Sequence, residues 1–509
     1  MAEPPDEKSK LPVTGVLALL FAAVSSLIIY QVPLKTSRPI DKEAEKTASV
    51  TVHRVQSRLW QDPFEAVTTH QAKEAASKLD RGHATDTHHE FHDLILAIKA
   101  IGGQSDFMVL PVFVDGNPYA SGVEGRLRDR YAVVSALGTA GYLPESGEYI
   151  RFFEWQRTPP VTIVIPVEWF VLKPQGGHAS TMKQVLVLWL KDQDFGPRPL
   201  ASMGNLLAHM NRTFGPGASK YRILGPRSSG ALAAMVSELK EHYREAVSPA
   251  EPTSSSVLPN RDFKALNGSV FYSSWATAAN KFLLGTAPEP GQERSVEEWF
   301  ALGGLTLMRT IGTDAFLSEQ LVEDLQRRGI DLATTMAPSK NCRVPHVALI
   351  SEWDTLYGRA LPRTFVAAAE HHAEKMGDRD HHLEDHINTS AASTWPCWVR
   401  RYSYLAGLDG ELPPKGNEKE SSGPPPKDKA PEKMWRAQEG PEETPTGRSQ
   451  LDYLRRLAAT LKQAESTIEQ GFQAIGVLGS DVYDKLMILQ ALRNDFPRAI
   501  FLRRILMLA

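Results

Sequence analysis

Three loops in this chain join an apolar run directly to an amphipathic one through small and hydroxylated residues. They are Gly225-Pro226-Arg227-Ser228-Ser229-Gly230, the stretch from Asp354 to Arg359, and Gly479-Ser480-Asp481. Where such a loop leads a strand into a helix, the first helical turn presents unpaired N–H groups, and nearby hydroxyls add donors. That chemistry suits a carboxylate or a similar anion. A purely local role competes with it, because Ser228 and Ser480 sit where a helix needs a cap and serine commonly provides one. Occurring in both halves of the chain, the three loops together point to a binding crevice beyond the carboxyl ends of strands.

Other chemistries find less support. GPRSSG lacks the Lys-Ser/Thr of a phosphate-cradling loop and the spacing of the dinucleotide fingerprint, and Gly-x-Ser-x-Gly is absent. Eight of the 15 histidines fall in two clusters, His88/His89/His92 and His371/His372/His381/His382/His386. The pairs His88/His92 and His382/His386 have the four-residue spacing of a metal-binding helix face. Yet HExxH is missing, and Glu90, Asp93, Glu374, Asp378, Asp380, Glu384 and Asp385 give these stretches the composition of solvated faces. No metal and no cofactor is expected. Trp395-Pro396-Cys397-Trp398 carries aromatic surface that a pocket could use, but its expected role is interdomain packing.

The elements that must position the loops alternate in type. Phe107–Asp115, Val161–Leu172, Gln184–Leu190, Tyr221–Gly225, Ser269–Trp275, Leu305–Gly312, His346–Glu352, Ala474–Ser480 and Ala499–Leu502 read as strands. Several are continuous Val/Ile/Leu runs rather than strict alternations, as in strands covered on both faces. Helical patterns lie between them, in PLASMGNLLAHMNRTF, SGALAAMVSELKEHYREA, AFLSEQLVEDLQRRGI and ALPRTFVAAAEHHAEKM. Strand, helix and strand in succession predict an α/β fold with mainly parallel sheets and helices on both faces. A further helix, FHDLILAIKAI, follows a capping-box spacing at Thr87–Glu90.

The remaining segments set the organisation. No charge occurs between Lys10 and Lys35, and residues 11–32 are apolar enough for one transmembrane helix across a hydrocarbon core of about 30 Å. That run is too long for a signal-peptide core and has no clear cleavage site. The expectation is a single-pass membrane protein with an N-terminal tail over 1–10. The flanking lysines and arginines leave the side of the large domain open. Residues 33–104 read as a juxtamembrane stalk and helix, docking on the body through Trp60 and Phe64. Residues 410–450 are rich in Pro, Gly and charge, as a disordered insertion is. With 57 Lys+Arg against 60 Asp+Glu, the net charge of −3 gives no basis for nucleic-acid binding. Two cysteines exclude a disulfide scaffold, and Cys342 and Cys397 are expected as buried free thiols although they could pair.

YRILGPRSSGALAAM resembles the strand–GPxSS–helix element of the type 1 periplasmic binding fold, found in branched-chain amino-acid binding proteins and receptor ligand-binding regions. LMRTIGTDAFLSEQLVEDLQRRGI followed by HVALISEWDTLYGRALPRTF is similar to that family's crossover between lobes, from an "RT…D" strand end to a strand ending in "D-x-YGR". The resemblance extends over roughly 105–502, in matching order. It implies two lobes, the first over 105–312 and the second over 313–409 and 451–509, closing by a hinge on a small molecule. It also implies ligand contacts at Ser228, Ser229, Asp354, Tyr357, Gly479 and Ser480.

The implied function is non-catalytic binding of a small polar ligand, an amino acid or another carboxylate, with the large domain extracytoplasmic. Two alternatives stand beside it: a metal-dependent hydrolase using the His/Asp/Glu clusters, and a membrane-tethered scaffold whose 410–450 segment recruits a protein partner. The uncleaved anchor departs from the simple family pattern. So does the tail Arg503–Ala509, which suits no element of the fold and is what a one-base deletion makes of a Thr-Thr-Asp-Leu-Asp-Ala-Arg reading. The second lobe is accordingly expected to be truncated.

Overall fold

The computed structural model describes residues 54–81, 90–102, 107–157, 161–172, 184–214, 221–247, 264–285, 294–332, 346–375, 383–387, 395–408 and 450–503. The expected membrane span, residues 410–449 of the insertion, the Thr87–His89 part of the capping box and the tail beyond Arg503 lie outside them. Among the described residues no helix is long and apolar enough to cross a membrane.

The first lobe is built on a sheet of order β1-β4-β5-β6-β2-β7-β8-β9, with β3 paired to β5. In chain order these are β1 (Val55–Gln56), β2 (Phe107–Val114), β3 (Tyr142–Pro144), β4 (Tyr149–Arg157), β5 (Val161–Leu172), β6 (Gln184–Lys191), β7 (Arg222–Leu224), β8 (Val270–Ser273) and β9 (Thr306–Arg309). Strands β6, β2, β7, β8 and β9 run parallel, whereas β4 and β5 form an antiparallel pair that also lies antiparallel to β6. The mainly parallel expectation thus holds for the site-bearing half of this sheet and fails at its far side. There, β4 follows β3 closely and pairs back on β5.

Helices cover both faces. On one, α2 (Phe91–Gly102), α4 (Pro199–Phe214), α5 (Ser229–Val247) and α7 (Val296–Leu302) enclose a core that includes Phe91, Leu94, Met203, Leu206, Leu232 and Phe300. On the other, α3 (Ala120–Thr139) packs Val133 and Leu137 with Val112, Val187 and Trp189. Burying each such aliphatic or aromatic side chain is worth about 1.5–3 kcal/mol, which is why unbroken apolar runs occupy the central strands.

The second lobe has an all-parallel sheet of order β11-β10-β12-β13, comprising β10 (His346–Glu352), β11 (Val399–Tyr404), β12 (Phe472–Leu478) and β13 (Ile500–Arg503). Helices α8 (Asp314–Arg327) and α9 (Leu356–Lys375) cover one face, packed with Val347, Leu349, Phe365 and Trp398. Helices α11 (Gln450–Glu465) and α12 (Val482–Leu492) cover the other with Ile350, Phe472 and Ile475. Two short helices, α6 (Asn280–Leu284) and α10 (Leu383–His386), meet between the lobes: Glu384 accepts from the N–H groups of Asn280 and Lys281. The described chain crosses from first lobe to second between β9 and α8.

Several expectations need correction. The segment read as a stalk belongs, from residue 54 onward, to the first lobe. β1 pairs with β4, α1 (Pro63–Arg81) packs Phe64 and Val67 onto the sheet, and α2 lies in the core. Phe64 docks as expected, but Trp60 is 61% exposed under the Arg58 guanidinium. The strap over 54–62 is held instead by two buried arginines of α3. Arg126 pairs with Asp62 at 2.6 Å, and Arg130 donates to the carbonyls of Arg58 and Gln61 while pairing with Glu168 at 2.7 Å. Cys397 is disulfide-bonded, not a free thiol, and Cys342 is the one other cysteine in the sequence. Trp398 is core of the second lobe and Trp395 lies against Arg363 and Arg401, so this motif packs within one lobe, not between two.

Candidate functional site

The carboxyl ends of β2, β6, β7 and β8 face those of β10 and β12 across a cavity of about 330 Å³. Its walls include Ser228, Ser229, Tyr357, Gly479 and Ser480, five of the six residues singled out from sequence. Asp354 is not among them. Its Oδ1 accepts from the Ala406 N–H at 3.1 Å, because Thr355 takes over the cap of α9 through Gly358 N–H and leaves Asp354 turned to the loop after β11.

The two serines of the first lobe are committed to the fold. Ser228 Oγ accepts from Ala231 N–H at 3.1 Å, which is the N-cap bond of α5. Ser229 is 2% exposed, and its Oγ accepts from Ala278 N–H at 3.1 Å, tying α5 to the loop after β8. Close packing places the turn before them: at Gly225, with φ +141°, a Cβ would lie 2.6 Å from Cβ of Phe113.

Each lobe aims a buried carboxylate at the start of its cleft helix. In the first lobe Asp192, in the short 3-10 turn Asp192–Phe195 after β6, accepts from the N–H groups of Arg227 at 3.2 Å and Ser228 at 2.7 Å. Burial pushes its carboxyl up to about 7 despite those bonds. In the second lobe Glu352, at the end of β10, accepts from Ser480 N–H and Oγ–H, Asp481 N–H and Thr355 Oγ–H. Burial raises its carboxyl too. Asp481 then accepts from the N–H groups of Tyr483 and Asp484. The helix start in the second lobe is therefore nearly saturated by the protein's own carboxylates, and Ser480 is spent on Glu352. The first lobe is different. The N–H groups of Ser229 and Gly230 have no acceptor among the described residues.

Beside those N–H groups lies Arg227, a residue of the same GPRSSG loop that local spacing does not mark as a ligand contact. Its guanidinium carbon is 3.4 Å from the Trp275 ring centroid, and its Nε donates to Asp129 at 2.8 Å. Held by that bond to Asp129, the guanidinium lies against the indole. Burial raises the Asp129 carboxyl, opposed by Arg227. Neither Nη atom of Arg227 has a partner among the described residues, and both belong to a side chain that lines the cleft. A fixed guanidinium with an open edge next to open helix N–H groups is a ready cradle for a carboxylate.

The lobes touch at one lip of the cleft. Ser121 Oγ donates to Asp481 at 2.5 Å, and Tyr483 Oη donates to Glu124 at 2.5 Å, a bond that also lowers the Glu124 carboxyl. Lys485, buried behind this lip, donates to the Gly479 carbonyl at 2.8 Å.

The described histidines of the two clusters make contacts between or beside helices. His371 contacts Glu319 and His372 contacts Gln326, joining α9 to α8, while His92 is exposed. Among the described residues no group of three metal-ligating side chains converges. His88, His89, His381 and His382 lie outside the described residues.

No protein-family model matches the chain, and no curated protein does. Solved structures do resemble it. An ABC transporter substrate-binding protein from Desulfitobacterium hafniense matches at 11% identity, over 78% of this chain and 66% of its own, with a TM-score of 0.32. A structure of that description in complex with Leu matches at 12% identity, over the same shares, with a TM-score of 0.31. A periplasmic binding protein from Burkholderia mallei matches at 8% identity, over 78% of this chain and 60% of its own, at 0.32. The chain thus spans about two thirds of the length of the solved proteins it is similar to.

Proposed function

We propose that this chain is a non-catalytic binding protein that holds a small polar ligand bearing a carboxylate between its two lobes. One observation carries the reading: the cleft contains an arginine fixed on Trp275 by Asp129, with its Nη edge open beside the unfilled N–H groups of Ser229 and Gly230. The ligand's carboxylate sits on that cradle in the first lobe. Tyr357 and the Ser121–Asp481 and Tyr483–Glu124 lip close over it from the second. Residues 11–32 anchor the chain in a membrane as a single span. The disulfide at Cys397 favours an oxidising compartment, and with it an extracytoplasmic position for the large domain.

Thermal and chemical unfolding of the full chain with leucine, glutamate and succinate as separate probes tests the reading. A ligand at a hundredfold excess over Kd stabilises by about 2.7 kcal/mol. Arg227→Gln is expected to abolish that stabilisation. If none of the three carboxylates shifts unfolding, or if Arg227→Gln binds as the wild type does, the proposed site is wrong.

A further inference from the structure

A second cavity, of about 300 Å³, lies outside the cleft, between α1 and the first-lobe sheet. That volume is at the lower end of the range of small-molecule pockets. Its floor is apolar, formed by Phe64, Val67, Ile163 and Pro166. Its rim carries two cations, Lys191 at the end of β6 and Arg157 at the end of β4. The Lys191 ammonium lies 4.4 Å from the Phe64 ring centroid and has no hydrogen-bond or ion-pair partner among the described residues. Burial, and then the nearby Arg126, lower its pKa, while Asp194 and Asp62 raise it. Arg126 and Asp62 are already paired with each other. Arg157 gives one Nη to the Asp194 carbonyl, and its other donors have no partner among the described residues. Among the described lining residues Asp194 is the one acidic side chain, so Lys191 and Arg157 outnumber it.

A half-buried ammonium without an acceptor, above an aromatic ring and an aliphatic floor, is an incomplete site. An anionic head between Lys191 and Arg157 would supply charge-assisted hydrogen bonds, and an apolar body would displace water from Phe64, Val67 and Ile163. We infer that this cavity is a second binding site, separate from the cleft, for a small amphipathic acid: a carboxylate on a short aliphatic or aromatic body. It stands independently of the cleft's ligand, although Gln193 lines both cavities and makes them neighbours.

The test uses hexanoate as probe and hexanol as its uncharged counterpart, by calorimetric titration of the full chain. Hexanoate is expected to bind when tested to about 10 mM, a level that saturates even a millimolar site, and hexanol to bind at least about tenfold more weakly. Lys191→Met is expected to weaken hexanoate at least about tenfold. Thr162→Trp, an exposed substitution that fills the mouth, should abolish binding without touching either cation. Arg227→Gln should leave hexanoate binding unchanged. The inference is overturned if hexanoate does not bind, if hexanol binds as well, if Lys191→Met and Thr162→Trp bind normally, or if Arg227→Gln removes the signal and so places hexanoate in the cleft.

Discussion

Gly479→Ala is the substitution whose cost is most directly set by the packing around the cleft. Gly479 has no left-handed backbone angle to protect, so any effect comes from the added methyl group alone. That methyl would lie 2.2 Å from Tyr404 Oη and 2.5 Å from Glu352 Oε1, both in fully buried side chains. Neither can move freely, because Glu352 holds the start of α12 and Tyr404 is wedged in the second-lobe core. Overpacking of this kind costs about 1–3 kcal/mol, and displacing Glu352 from Asp481 and Ser480 adds the loss of a buried hydrogen bond, about 1 kcal/mol. A total of about 2–4 kcal/mol is expected in urea unfolding. The Tyr404 hydroxyl has no hydrogen-bond partner among the described residues, so Tyr404→Phe alone should be neutral or stabilise by up to about 1 kcal/mol. In the double variant the 2.2 Å contact is gone and part of the Gly479→Ala cost returns, leaving the clash with Glu352. If Gly479→Ala unfolds at the wild-type midpoint, or if Tyr404→Phe gives no rescue, the close approach argued here is wrong.

Asp192 and Glu238 give a pH dependence of unusual sign. Both are buried carboxyls pushed up to about 7, Glu238 while capping α4 through Leu200 and Ala201. Below the unfolded-state value near 4 both states are protonated. As pH rises toward 7 the unfolded chain ionises first, so stability falls, by up to about 4 kcal/mol for Asp192 and about 3 kcal/mol for Glu238, and levels off above 7. Urea midpoints from acid to neutral pH should fall less steeply for Asp192→Asn than for the wild type, and identical slopes would contradict the assignment. Ser229→Ala should leave the Ala278 N–H buried and unpaired, costing about 1–3 kcal/mol of stability while ligand affinity in the cleft is retained. Lost affinity at unchanged stability would instead make Ser229 a direct ligand contact.

Much of this architecture could be read from the chain, and the parts that could not share a cause. Helix α4 occupies the stretch PLASMGNLLAHMNRTF because its apolar positions recur with helical period, and β2, β5 and β6 announce themselves as unbroken apolar runs. Strand β11, VRRYSY, lies at a sheet edge with Arg400 exposed, so no such run marks it, and β4 carries Glu154 and Arg157 among its aromatics. The loops at the cleft were visible, since each lies where a strand meets a helix. Their chemistry was not. The carboxylate that occupies the start of α5 comes from Asp192, 36 residues before Ser228, and the one at α12 comes from Glu352, 128 residues before Ser480. Asp129 fixes Arg227 across 98 residues. Local spacing records which residues can cap or bind, but which of them are already engaged is decided by strands brought together from distant parts of the chain.

The strap over 54–62 has a mechanical side. It is clamped to α3 by Arg126 and Arg130, and the first turns of that same helix carry Ser121 and Glu124 to the lip of the cleft. Tension applied at Arg54 is therefore delivered through Asp62 onto α3. The load path runs from the strap to the contact between the lobes, and traffic along it is two-way: whatever parts the lobes at that lip also tugs on the strap.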